Sequence, residues 1–251
     1  MRSDAADGTT AGALVAREGL AADTAVVFGS GLEAVPAGAV VEGELEYASL
    51  GWPQLGVEGH AGRLVSVRLR GERVLLACGR PHLYEGWSSE ELTRPVVDLA
   101  SWGVRRLLVT NACGGLGDRA APGTVVVVDE VVDLQEAPAT EPELLPASSP
   151  AWAARCAERL APWFPVVRGR YVAVPGPQFE TPAEARWLAG YGDAVGMSTA
   201  PEVRAAREHG LETAVLALVV NRSGAAVGHE EVLAAARGMA ARLREALPAI
   251  L

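Results

Sequence analysis

No stretch of this chain is long and apolar enough to span a bilayer: its uninterrupted apolar runs stop short of the ~18–20 residues required. Cysteine is scarce. Cys78, Cys113 and Cys156 are odd in number and too widely separated for common zinc spacing. They read as reduced, mostly buried thiols of a reducing compartment. Aromatic residues make up only 5%, so each one inside a motif carries extra weight. Positive charge is in deficit, with 22 Lys and Arg against 31 Asp and Glu, a net charge of −9. Such a field disfavours nucleic acid and acidic membrane surfaces as partners. It leaves room for a small anion, because a few focused donors outweigh the mean field at close range. Met1 to Thr10 is polar and acidic, without the cationic-then-apolar pattern of a leader. It reads as a disordered tail, and cytoplasm is the expected location.

What is present suits a single α/β domain over residues 1–251. Hydrophobic residues reach 49%, enough for a core that holds its own pocket. Strand patterns fall at Ala25–Phe28, Leu64–Leu69, Val74–Ala77, Leu107–Thr110, Val125–Val128, Tyr171–Val174 and Ala214–Val219. Several are apolar at consecutive positions, as strands covered on both faces are. Helical patterns fall at Ser88–Trp102, Pro150–Leu160, Pro182–Ala189, Pro201–His209 and Glu230–Leu247. The alternation predicts a central twisted mixed sheet flanked by helices. Gln135–Pro150, rich in Pro, Ala, Glu and Ser, reads as a surface loop.

Polar and glycine-rich segments follow the strands, where open α/β sheets place ligands. Gly29-Ser30-Gly31 suits an oxyanion through exposed N–H groups and a hydroxyl, or is a plain connection. In Gly79–Gly86, extended alternation would turn Arg80, His82 and Tyr84 to one side. A guanidinium grips two phosphate oxygens, an imidazole donates a further bond, and a phenol ring covers an apolar ligand face. The alternative is a solvated edge. Asn111-Ala112-Cys113-Gly114-Gly115 permits close backbone approach or is a structural turn, with Cys113 as a packing thiol. Phe179-Glu180 precedes a helix start marked by Thr181, Pro182 and Glu184. Glu180 is either a helix-dipole partner or an acceptor for the N–H groups of a heterocycle. One of Ser198 and Thr199 caps the helix opening at Pro201, freeing the other hydroxyl, and Met197 offers an adaptable apolar surface. Asn221 ends a buried strand, and His229 opens the last helix as a ligand group or an exposed first-turn residue.

Taken in order, these segments resemble the trimeric class of purine nucleoside phosphorylases. The resemblance rests on Gly29-Ser30-Gly31-Leu32, Gly59-His60-Ala61-Gly62-Arg63-Leu64, Gly79-Arg80 through Gly86, and Asn111 through Leu116. It continues through Gly176-Pro177 to Thr181, Gly196-Met197-Ser198-Thr199, Pro201-Glu202-Val203, Asn221 and His229-Glu230-Glu231-Val232-Leu233. It implies that Ser30, Arg80, His82, the backbone N–H of Ala112 and Ser198 hold phosphate, with His60 beside them. Tyr84, Met197 and His229 would surround the ribose, and Phe179, Glu180 and Asn221 the purine. It further implies phosphorolysis of purine nucleosides, Asn221, His82 and Glu180 acting in catalysis, no metal or redox cofactor, inorganic phosphate as co-substrate, and a homotrimer.

Asn221 with Glu180 resembles the 6-oxopurine pattern; methylthioadenosine phosphorylases, the nearest alternative, usually carry Asp at position 221. The sequence departs from the family after Val132. Asp133-Leu134-Gln135-Glu136 replaces an Asp-His-Ile-Asn-like segment, and no aromatic follows before Trp152 to cover a neighbour's sugar. Glu33, Val220 and Arg222-Ser223 also depart from the pattern. The altered lid motivates two alternatives: a modified-nucleoside phosphorylase, and a nucleoside-binding protein without turnover.

Overall fold

The structure, a computed structural model, describes residues 21–56, 59–135 and 142–251. The predicted tail Met1–Thr10 lies outside them. Ten strands form one mixed sheet: β1 (Thr24–Phe28), β2 (Val40–Glu46), β3 (Arg63–Leu69), β4 (Glu72–Cys78), β5 (Arg106–Gly115), β6 (Val125–Asp133), β7 (Glu143–Pro146), β8 (Val166–Ala173), β9 (Ala194–Gly196) and β10 (Glu212–Arg222). The described α-helices are α1 (Ser89–Ser101), α2 (Pro150–Leu160), α3 (Pro182–Leu188), α4 (Ala200–Glu208) and α5 (His229–Ile250). None is long and apolar enough to cross a membrane.

Consecutive apolar residues in the strands serve two cores at once, because successive side chains leave a strand on opposite faces. Ala25 and Val27 of β1 join one core, with Val96 and Leu99 of α1 and Ala200 and Val203 of α4. Val26 and Phe28 join the other, with Trp152 and Cys156 of α2 and Met239, Leu243 and Leu247 of α5. The sheet is thus flanked by helices, as the sequence pattern predicts.

Two features go beyond that expectation. Part of the sheet closes on itself: β5 pairs with β10, β10 with β6, β6 with β8, β8 with β9, and β9 returns to β5. The segment Gln135–Pro150, expected to be a surface loop, contains β7, which pairs antiparallel with β6. Leu145 is the strand's buried residue and joins the first core, anchoring a segment whose composition masks it.

The long strand β5 positions the cavity. It pairs with β1 from Arg106 to Val109, then with β9 at Gly114 and Gly115. Between these neighbours, Thr110–Cys113 has no partner strand on that edge among the described residues, and the sheet opens there. A strand-end crevice of this kind is where α/β folds bind ligands. Gly29, directly after β1, is required by the close approach: a Cβ there would lie 2.8 Å from the Asn111 Cα.

Trp152 ties the outer helices to the sheet. It is fully buried, its indole N–H donates to the Ile250 carbonyl (3.0 Å), and the Arg106 guanidinium lies 4.3 Å from its ring centre. Trp152→Ala is expected to cost about 3–5 kcal/mol, read from urea unfolding; a loss under about 1 kcal/mol would show that the helices do not depend on it.

Candidate active site

Around the opening in the sheet lies a cavity with about 830 Å³ of empty space, counting its solvent-open mouth. Its wall brings together Ser30, Arg80, His82, Tyr84, Ala112, Phe179, Glu180, Met197, Ser198, Asn221 and His229. Every site residue that the resemblance implies is in that wall except His60, which stands one contact behind it: its Nε2 lies 2.9 Å from the Ser30 Oγ.

Arg80 organises one end. Only 2% exposed, it reaches the Ser198 and Thr199 hydroxyls (each 3.3 Å) and the backbone carbonyls of Val27 and Thr110, and pairs with Glu202 at 2.9 Å. Its Nε is buried and has no hydrogen-bond partner among the described residues. A buried guanidinium is tolerated only where its charge and most of its donors are met, so these contacts fix its position. Thr199 is the N-cap of α4 and has φ +81°, uncommon for a β-branched residue. Three contacts hold it there: its N–H donates to Glu202 (2.8 Å), and its hydroxyl meets Arg80 and the Asn111 side-chain amide (2.9 Å). With Thr199 as the cap, Ser198 remains to face the cavity, as the helix-start pattern anticipates.

His82 and Tyr84 share the cavity wall with Arg80, but not by strand alternation. The chain is extended at His82 and then makes a 3-10 turn over Leu83–Glu85. The turn stacks Tyr84 on His82, ring centres 4.9 Å apart, and brings the Glu85 carboxylate 3.1 Å from His82 Nδ1. Nε2 is left as the ring's remaining hydrogen-bonding atom. Burial raises the Glu85 carboxyl, yet hydrogen bonds from the His82 ring, its N–H and the Gly56 N–H outweigh it and hold the group below its ordinary range. Burial, reinforced by His82 and Arg80, pushes the His60 imidazole down to about 3, so it is neutral at physiological pH. Burial, with Glu180 nearby, raises the Cys113 thiol far above its usual value, which fits a packing group and not a nucleophile.

At the other end, β10 carries Asn221 to the cavity through a bulge: its register with β5 shifts between Val219 and Asn221. Bulges re-aim side chains in this way beside functional sites. Glu180 precedes α3, but the capping box there is made by Thr181 and Glu184. The Glu180 carboxylate instead accepts a hydrogen bond from the Ser223 hydroxyl (2.7 Å). Between the two ends, Met197 packs on Gly176, where a Cβ would lie 2.4 Å from its Sδ; the φ of +72° also favours glycine. His229 reaches the cavity from the first position of α5, joined by Val232 and Leu233.

Sequence reasoning missed the supporting groups Glu85, Asn111, Glu202 and Ser223. The Thr199–Glu202 spacing of a capping box is a signal for Glu202; Ser223 has none.

Among the described residues no cluster of His, Cys, Asp and Glu could hold a metal ion.

Residues 23–251 match the phosphorylase superfamily. The chain is 37% identical over 230 residues to the purine nucleoside phosphorylase of Mycobacterium tuberculosis, covering 88% of this chain and 85% of that protein. It is 35% identical over 246 residues to the Bos taurus purine nucleoside phosphorylase, again covering 88% and 85%. Among solved structures, isoform 2 of Schistosoma mansoni purine nucleoside phosphorylase, in complex with cytosine and ribose-1-phosphate, matches with a TM-score of 0.83 and 27% identity, over 97% of this chain and 95% of that one. The Schistosoma enzyme in complex with guanosine matches with a TM-score of 0.82 and 28% identity, over 96% and 94%. The chain belongs to the phosphorylase superfamily. Its curated relatives and solved neighbours place it with the purine nucleoside phosphorylases.

Two outcomes are expected. Glu202→Ala leaves the buried Arg80 charge without its counter-ion and should cost about 3–5 kcal/mol in urea unfolding; an unchanged midpoint would mean that the pair carries no stability. His60 is depressed from an ordinary 6.5 to about 3, so its stabilising contribution is complete above pH 6.5. The contribution fades as pH falls from 6.5 toward 3, because the unfolded chain takes up a proton that the folded one refuses. Tm measured against pH should therefore fall less steeply for His60→Asn than for the native chain; parallel curves would contradict a buried neutral imidazole.

Proposed function

We propose that the protein cleaves the N-glycosidic bond of 6-oxopurine nucleosides with inorganic phosphate, giving free base and (deoxy)ribose 1-phosphate. The observation that carries this reading is the convergence of two chemistries in one cavity. Arg80 in contact with Ser198 lies at one end, and Glu180 with Asn221 at the other.

On this reading Ser30, Arg80, His82, the Ala112 N–H and Ser198 bind phosphate. His60 acts through Ser30: with its Nε2 protonated, it donates to Oγ and leaves the hydroxyl hydrogen for the anion. Tyr84, Met197 and His229 surround the ribose, and Phe179 flanks the purine. Glu180 accepts from N1–H, and Asn221 hydrogen-bonds N7 as negative charge gathers on the departing base. The C1′–N9 bond breaks with its electron pair moving to the purine, while a phosphate oxygen forms the new bond to C1′. The proton that hydrogenphosphate gives up balances the one the base takes. Charge stabilisation by fixed groups is the main catalytic resource, and neither a protein nucleophile nor a metal or redox cofactor is required. The finer reading is a cytoplasmic homotrimer serving purine salvage, supported by the resemblance of its motifs to the trimeric class.

Incubation with inosine or guanosine should release base only when phosphate is present. Asn221→Ala should lower kcat by about 10²–10³-fold, the usual result of removing one such stabilising donor. A nucleoside panel, including a 5′-methylthio nucleoside, without phosphate-dependent release would overturn the proposal.

A further inference from the structure

Ser223 stands just past the end of β10, 9% exposed, and it does not line the nucleoside cavity. Its backbone N–H donates to the Gly115 carbonyl (3.0 Å), and its hydroxyl donates to Glu180 Oε2 (2.7 Å). Gly114 permits the approach: a Cβ there would lie 3.1 Å from the Ser223 Cβ. Glu180 takes no part in the capping box of α3, and among the described residues Ser223 is the side chain that hydrogen-bonds its carboxylate.

We infer that Ser223 is a positioning residue that sets base selectivity by fixing Glu180. This rests on the function proposed above and adds to it. With Oε2 engaged, the carboxylate presents Oε1 to the ligand as a pure acceptor in one orientation. A base with a ring N–H at that place, as in a 6-oxopurine, satisfies it. A 6-aminopurine brings a lone pair instead and leaves both groups unpaired beneath the bound base, which is costly. A carboxylate free to rotate loses part of this discrimination. The interaction joins residues 43 positions apart, which makes it a tertiary device and not a local turn.

Steady-state kinetics with Ser223→Ala and Ser223→Thr test it. Ser223→Ala should raise KM for inosine and guanosine about tenfold, as expected for losing a hydrogen bond to a charged group. KM for phosphate should stay unchanged, and the preference for inosine over adenosine should narrow. Ser223→Thr keeps the hydroxyl, and Ser223 borders a second, solvent-open hollow; it should restore native values. In a Glu180→Gln background, Ser223→Ala should change little. Native-like nucleoside KM in Ser223→Ala, or a parallel rise in phosphate KM, would overturn the inference and leave the proposed function standing. If the native chain shows no phosphorolysis, the function fails. Guanine binding by calorimetry then decides the Ser223 link: weaker binding in Ser223→Ala supports it, and equal or absent binding overturns it.

Discussion

A guanidinium almost without solvent holds this site together. Arg80 draws its partners from the end of β1, the open edge of β5, the Ser198-Thr199 turn and the first turn of α4. Removing an arginine from water costs several kcal/mol, and only a counter-charge with acceptors for most of its donors offsets it. The fold supplies them by holding Thr199 in an unfavourable conformation and by burying Glu202. Arg80 Nε remains a donor unused among the described residues, in a cavity whose other groups suit an oxyanion.

That anchoring resolves the conflict between a strongly acidic chain and the anionic co-substrate proposed for it. The mean field of the protein repels phosphate, so donors must act at close range. Ser30, His82 and Ser198 sit around Arg80, while a neutral His60 adds a hydrogen-bonding group without changing the local charge. The far end of the cavity is set by different means. There a bulge in β10 aims Asn221, and a hydroxyl from outside the pocket orients Glu180. The two ends are built from different elements, and the strand β5, with its change of neighbours, keeps them in one cleft.

Buried strands were legible because burial on both faces leaves runs such as Val125–Val128. The strands that escaped lack that signature. β2 is an edge strand of Val, Glu, Gly and one Leu with exposed positions, β7 carries Glu and Pro, and β9 has three residues. Closure of the sheet was invisible because it depends on pairings between distant strands. Arg80, His82 and Tyr84 line one cavity, yet a 3-10 turn and not strand alternation brings Tyr84 into place. The residues touching the cavity carried sequence signals because ligand chemistry restricts their type. Behind it, Glu202 is signalled only as a capping-box partner of Thr199 and its pairing with Arg80 needs the folded chain, while Ser223 is defined wholly by contacts that the folded chain makes.

The most direct measurement is a crystal structure with phosphate and hypoxanthine bound together. The account predicts the anion within hydrogen-bonding distance of Ser30 and Ser198, and the purine between Glu180 and Asn221 in the same cavity. A phosphate bound elsewhere, or a base that leaves Asn221 and Glu180 untouched, would contradict it.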